Sequence, residues 1–431
     1  MRPQDIILRK RDGFELTEEE IDFMVMGYTL NKIPDYQMSS FLMAIYFRGM
    51  TDDEIYYLTK SMLNSGDIIT FDEIEGLKVD KHSTGGVGDK TTFVVGSILA
   101  ASGINVCKMS GRGLGYTGGT IDKLESIPGF NTNLNEEEFI DIVKKNKFSI
   151  IGQTKNIALA DKKIYALRDV TGTVASIPLI ASSIMSKKLA IKTDLISLDI
   201  KVGNGAFMKD LNEARLLAKT MIKIGKKFNR KVISTLTSMD ENLGYAIGNS
   251  LEIIEAIDTL KGKGPKDFYE LCIQISANTI YALGLTKTLE DALELAQEKI
   301  YNGSAFNHFK EMVLLQGGNI SYIDNPTLFE KPKYIIPLYS KEEGYVSLID
   351  TKSLGLASMM LGAGRVSLGD NINHRVGLKF YPKIGDYIKK GDLISEIYSD
   401  TNDNNILELV NNSYKLTKEK TDFKLILDVL S

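Results

Sequence analysis

The residues best suited to chemistry gather in glycine-rich blocks, the first of which reads Lys81-His82-Ser83-Thr84-Gly85-Gly86-Val87-Gly88-Asp89-Lys90-Thr91-Thr92. Glycines let the backbone approach an anion closely, and the start of a helix offers unpaired N–H groups. With Lys81, Ser83 and Thr92 adding a charge and hydroxyl donors, the block suits a phosphate. A Walker A loop would need Gly directly before the Lys, and Asp89 stands there. His82 brings a group that titrates near neutral pH into the same block, whereas His308 and His374 stand apart and read as structural.

A second block runs from Lys108 through Ser110-Gly111-Arg112-Gly113-Leu114-Gly115-Tyr116-Thr117-Gly118-Gly119-Thr120 to Glu125. Gly113 to Gly118 match the dinucleotide fingerprint, but that fold needs a long helix after the third glycine, and Pro128-Gly129 ends any helix after about two turns. Ser110 and Thr120 read instead as further hydroxyl donors. A third run, Ile200 to Phe207, ends a strand in glycines and fits either a wall of the same cleft or a plain tight turn.

Between these blocks, Tyr165 to Thr171 and Ser182 to Lys188 place charge in apolar surroundings. An Arg, a Ser and a Lys converging there could hydrogen-bond the carbonyl oxygens and ring nitrogen of a planar base. The same residues also read as Arg168 paired with Asp161 or Asp169, and Lys187-Lys188 as a solvated helix face.

The elements that must position these groups follow from patterning. Thr17-Glu18-Glu19-Glu20 caps an apolar pattern at Ile21, Met24 and Val25, and Asp52-Asp53-Glu54 opens another at Ile55, Leu58 and Met62. Residues 1–65 are therefore expected to form a small all-helical domain, completed in space by the helix-rich segment of about 160–192. Short β-branched runs then alternate with glycine loops and helices, at Leu77 to Val79, Ile104 to Met109, Leu195 to Val202 and Lys231 to Leu236. These predict a large α/β domain with a mostly parallel sheet over 66–159 and 193–330. From 331 to 431 a C-terminal α+β module is expected, with hairpins in a barrel-sandwich-like part around Gly385-Asp386 and Gly391-Asp392.

Composition narrows the function classes. The 431 residues are 43% hydrophobic and 25% charged, and 52 basic against 56 acidic side chains leave a net charge of -4. That balance argues against a nucleic-acid polymer or a membrane surface as partner, so any anion must meet a local cluster. Cys107 and Cys272, far apart, do not make a disulfide framework and read as small core residues in a reducing compartment. The polar start Met1 to Asp5 carries no secretory signal, and no uncharged stretch reaches membrane-spanning length. A cytoplasmic protein is expected.

Together, Lys81 to Asp89, Ser110 to Gly115 with Thr117 to Glu125, and Tyr165 to Asp169 resemble the thymidine and pyrimidine-nucleoside phosphorylases, over nearly the whole chain. The resemblance implies a homodimer paired through the helical domain and a site without an organic cofactor. It assigns inorganic phosphate to Lys81, Ser83, Thr92, Lys108, Ser110 and Thr120, and the base of a pyrimidine nucleoside to Arg168, Ser183 and Lys187. His82 stands beside the base, and His82, Arg168 and Lys187 form the expected catalytic set. It further implies a monovalent cation, often potassium, near Gly88, position 90, Leu243, Ala246 and Glu255, where position 90 is usually a small residue such as Thr. Here it is Lys90, whose ammonium is expected either to take the cation's place or to point to solvent. Tyr116 stands where the family often carries His.

The implied reaction is reversible phosphorolysis of uridine, thymidine and deoxyuridine to free base and pentose α-1-phosphate, with Arg168, Lys187 and a protonated His82 stabilising the departing base. Lys108-Met109 before Ser110 leans to broad rather than thymidine-restricted specificity. An anthranilate-phosphoribosyltransferase-like enzyme would share the architecture but need a carboxylate pair for magnesium, and no adjacent Asp-Glu pair accompanies the three blocks. A biotinyl-type carrier would need a modifiable Lys between methionines at a hairpin tip, which the tail lacks.

Overall fold

The computed structural model describes residues 1–113, 115–116, 118–153, 156–365, 367 and 369–431, so Leu114 and Thr117 of the second block lie outside the described residues. Four helices open the chain, α1 (Pro3–Arg11), α2 (Glu18–Thr29), α3 (Asp35–Arg48) and α4 (Asp52–Asn64). Thr17 and Thr51 each close a capping box, with Glu20 and Glu54, so local sequence fixes where α2 and α4 begin. One further buried contact binds the first helix to the fourth. The Lys10 ammonium lies 2.7 and 2.8 Å from the two Glu54 carboxylate oxygens, which also accept the Leu16 and Thr51 N–H groups.

Next come β1 (Lys78–Ser83), α5 (Thr91–Ala101), β2 (Asn105–Ser110), α6 (Thr120–Leu124), α7 (Glu136–Asn146) and β3 (Phe148–Gly152). After them α8 (Leu159–Thr171) and α9 (Ile177–Leu189) leave the sheet: Ala160, Ile164 and Leu179 share one core with Ile21, Met24, Phe41 and Leu58. The chain returns as β4 (Leu195–Val202), α10 (Leu211–Lys227), β5 (Lys231–Ser238), the short β6 (Ala246–Ile247), α11 (Asn249–Leu260) and α12 (Lys266–Ala282).

All eight residues of β4 are buried, as a strand covered by helices on both faces requires. The large sheet has the order β13-β5-β4-β1-β2-β3, parallel except for β13 (Ile426–Leu430), which runs antiparallel beside β5. Strands after β1 add to one side and β4 and β5 to the other, so the order reverses between β1 and β4, and a crevice opens beyond their carboxyl ends. β3 and β13 were not legible as strands: each is short, and β13 follows a module whose other strands pair elsewhere.

The C-terminal part contains β7 (Tyr334–Tyr339), β8 (Gly344–Ile349), β9 (Gly377–Phe380), β10 (Tyr387–Ile388), β11 (Leu393–Ser399) and β12 (Tyr414–Thr417). They form two small antiparallel sheets, β10-β8-β12 and β6-β9-β11-β7. The strand between the two Gly-Asp turns pairs with β8 rather than with its sequence neighbours, because Asp386 N–H and Asp392 N–H close tight turns onto Lys383 and Lys389. The module is sewn to the α/β domain twice, where β6 joins its sheet and where β13 returns to the large sheet. Among the described residues no helix is long and apolar enough to cross a membrane.

Breaking a buried ion pair leaves one charge uncompensated, so Glu54→Ala is expected to cost the helical domain about 3–5 kcal/mol. Faster amide hydrogen exchange across α1 and α4 would register it. Lys60→Ala, which removes only the exposed pair with Glu18, should leave those rates unchanged.

Candidate active site

A cavity of about 590 Å³ lies at the crevice beyond β1, β2 and β4, a volume suited to a small-molecule substrate. One wall comes from the two glycine blocks, with His82, Ser83, Thr92, Lys108, Ser110 and Thr120; the facing wall comes from α8 and α9, with Tyr165, Arg168, Ser183, Lys187 and Lys188. Phe207 and Met208, just past the third glycine turn, close one end.

Of the residues expected on the phosphate side, Lys81 alone stays off the cavity surface. Strand alternation turns it away from Asp80 and His82, and its ammonium donates to Thr91 Oγ1 and lies 3.4 Å from Asp199 Oδ2, fully buried. Ser83 Oγ donates to Asp89 and accepts the Gly85 N–H at 3.2 Å. Asp89 Oδ1 takes the Thr91 N–H at 3.2 Å and the Thr91 hydroxyl at 2.7 Å. Burial opposes the charge of Asp89, yet Lys201, Lys81, Lys123 and the Ser83 hydroxyl hold its carboxyl well below the usual range.

Lys108 is 2% exposed and makes no side-chain hydrogen bond or ion pair among the described residues. Burial first, and then the Lys188 charge, push its amine well below the ordinary lysine value. His82 is depressed in the same way, by burial and then by Lys188, Lys108, Lys81 and Lys187. This favours the neutral imidazole, against the expectation of a protonated His82: burial, and then the nearby ammonium groups, disfavour another cation.

On the facing wall Arg168 pairs with neither Asp161 nor Asp169. Its Nε donates to Thr173 O at 3.2 Å, Nη1 to Leu179 O at 3.1 Å and Nη2 to Val174 O at 2.9 Å. These acceptors fix the guanidinium plane at the turn joining α8 to α9, and its N–H groups outnumber them, so donors remain for a substrate. Lys187 donates to Asp161 and, at 3.1 Å, to Ser183 Oγ. Ser182 faces the helical core instead, hydrogen-bonded with Thr59 at 3.1 Å. Lys188 is not solvated: its ammonium meets Asp80 Oδ2 and Met109 O, both at 2.9 Å, joining α9 to β1 and β2.

The carboxylates of Asp80, Asp89, Asp161 and Asp199 and the buried Lys188 and Lys201 carry much of this electrostatic arrangement; sequence reasoning gave Asp80, Asp199 and Lys201 no role, and read Asp161 only as a candidate partner of Arg168 and Lys188 only as solvated. A usable signal existed, since charged residues inside otherwise apolar strands, such as Asp199 and Lys201 in β4, must find buried partners.

The residues expected to hold a monovalent cation converge on Lys90 itself. Its ammonium is 2.8 Å from Leu243 O, 3.2 Å from Ala246 O and 2.5 Å from Glu255 Oε1. Of the two expected placements, solvent is excluded, because Lys90 is 1% exposed. The residues present do not fit potassium, since an ion touching the same oxygens would coincide with the ammonium.

Comparison with known proteins places this geometry. Residues 4–66 match the glycosyl transferase family helical bundle domain, 75–306 that family's a/b domain, and 345–417 the pyrimidine nucleoside phosphorylase C-terminal domain. The chain is 54% identical to the pyrimidine-nucleoside phosphorylase of Geobacillus stearothermophilus over 93% of this chain and 92% of that one. It is 49% identical to the enzyme of the same name from Staphylococcus haemolyticus over the full length of both. The anthranilate phosphoribosyltransferase of Thermus thermophilus superposes with a TM-score of 0.60 at 16% identity, covering 72% of this chain and 99% of that one, a likeness of fold alone. The C-terminal match and identity of about half along the whole length separate the two readings that the shared fold leaves together. On that ground the chain belongs to the pyrimidine-nucleoside phosphorylase family and is a pentosyltransferase.

Proposed function

We propose that this pentosyltransferase cleaves uridine, thymidine and deoxyuridine reversibly with inorganic phosphate, giving the free base and the pentose α-1-phosphate. The observation that carries the reading is the unpaired Lys108 ammonium beside the glycine-block hydroxyls, facing Arg168 and Lys187 across one cavity. Phosphate seated by Lys108, Ser83, Thr92, Ser110 and Thr120 attacks C1′ while the bond to the base breaks, inverting the anomeric centre. Positive charge develops on the sugar and negative charge on the base, so donors fixed before the reaction act where the charge appears.

Arg168 and Lys187 stabilise the departing base, with Ser183 orienting it. His82 acts as a neutral hydrogen-bonding group beside it, and Lys81 supports the phosphate site from behind through Thr91. The two walls belong to different domains, so their approach sets the reacting distance. Exposed rings on the helical domain, Tyr36 and Phe47, support a homodimer paired through that domain, and two buried free thiols fit the cytoplasm. A thymidine-restricted enzyme would release base from thymidine but not from uridine when each is incubated with phosphate; release from both supports the broad reading.

Removing one such prepositioned donor costs roughly 2.7–4 kcal/mol of transition-state stabilisation, so Arg168→Ala or Lys187→Ala should lower kcat about a hundredfold or more. A loss below about threefold would remove that residue from the mechanism. Lys108 must be charged to hold phosphate, and its pKa lies well below 10.5, so phosphate KM should climb with pH starting well short of 10.5. Lys108→Met should raise phosphate KM and abolish that alkaline rise.

Because the folded pKa of His82 lies below the unfolded value of 6.5, the unfolded chain binds more protons in acid. Stability of the unliganded enzyme should therefore fall as pH drops through about 6.5. Urea unfolding at pH 5.5 and 7.5 should show a smaller difference in His82→Gln.

A further inference from the structure

Lys90 stands at the N-cap of α5, and its buried ammonium lies among the 243–246 turn, Glu255 and the Phe268 ring, whose centroid is 5.1 Å away. The turn is arranged to receive a cation. Its carbonyls at Leu243 and Ala246 face the ammonium, while the N–H groups of Tyr245 and Ala246 donate to the Glu255 carboxylate at 3.0–3.2 Å. Two glycines close the walls without room for a side chain. A Cβ on Gly88 would lie 2.7 Å from Leu243 O, and one on Gly244 would lie 2.2 Å from Glu255 Oε1. From the other side, the Lys383 ammonium of the C-terminal module takes Gly244 O and Asp267 Oδ2, both at 2.8 Å.

We propose that the Lys90 ammonium is the permanent cation of this cage, locking the first glycine block to the 243–246 turn, so that the enzyme neither binds nor responds to an alkali-metal ion there. A dissociable ion stabilises a fold by an amount that rises with its free concentration relative to its dissociation constant. A cation attached to the chain has no such dependence, and it repels any second cation from the same oxygens. The 243–246 turn is thereby a joint between the first glycine block and the C-terminal module, with one lysine entering from each.

The inference does not depend on which nucleoside is cleaved, because its readout is folding. Thermal unfolding of the wild-type enzyme would be followed in potassium, sodium and tetramethylammonium chlorides at equal ionic strength, and wild-type crystals would be soaked in rubidium chloride. The expected result is one midpoint in all three salts and no rubidium beside Leu243 O. Lys90→Thr keeps the carbonyls and the carboxylate but removes the charge. Its midpoint should fall by about 5 °C or more in tetramethylammonium and recover saturably with potassium, whereas Lys90→Met should fall without recovering. A wild-type midpoint that rises saturably with potassium, a rubidium ion in the wild-type cage, or a folded Lys90→Thr indifferent to potassium overturns the proposal. If Lys90→Thr does not fold, the wild-type salt series and the rubidium soak decide it alone.

Discussion

An ammonium carried out of water to the ends of a buried sheet needs a carboxylate beside it, and the crevice between β1 and β4 is organised by that pairing. Lys81 and Lys201 share Asp199, Lys188 takes Asp80, and Lys187 takes Asp161. Three carboxylates thus hold four ammoniums, and Lys108 is left without a partner among the described residues. On the glycine-block wall an incoming oxyanion therefore meets a buried ammonium whose compensation is still open, and hydroxyls that need no charge of their own. Burial first, and then the same crowding of positive charge, depress the proton affinities of Lys108 and His82.

The pairing also links the two halves of the site. Lys188 reaches from α9 to a strand carboxylate and to the Met109 carbonyl, so the wall that carries Arg168 and Lys187 is anchored beside the wall that carries Lys108. Any change in the width of the cleft has to keep or break this buried contact. Arg168, held by three carbonyls around the α8–α9 turn, keeps its orientation without spending its charge on a protein carboxylate.

Glycine blocks that can wrap an anion have few side chains to hold them, and they lose much conformational freedom on ordering. Here the chain supplies long cationic side chains that grip the blocks by their backbone. Lys123 donates to Asp89 O at 2.6 Å, Lys90 holds the first block to the 243–246 turn, and Arg365 of the C-terminal module reaches Gly113 O and, at 2.8 Å, Asp122 of the second. The C-terminal module is thus a structural neighbour of both blocks, although none of its described residues lines the cavity.

Much of this was legible from residues that act locally. The capping boxes at the starts of α2 and α4, the strand from Leu195 to Val202 and the glycine blocks at strand ends are properties of short windows, and the motif blocks carried the family. Other features were not legible: Lys81 turns away from the cavity, Lys188 is buried rather than solvated, His82 favours its neutral form, and β13 crosses to the large sheet. The sequence by itself determined which residue types stand at the strand ends, because propensity, capping and glycine's freedom depend on near neighbours. Only the tertiary structure decided which ammonium meets which acceptor, because the partners lie 108 residues apart for Lys188 and Asp80, 118 for Lys81 and Asp199, and 153 for Lys90 and Leu243. A charge's proton affinity and its role depend on what folding brings within a few ångströms of it.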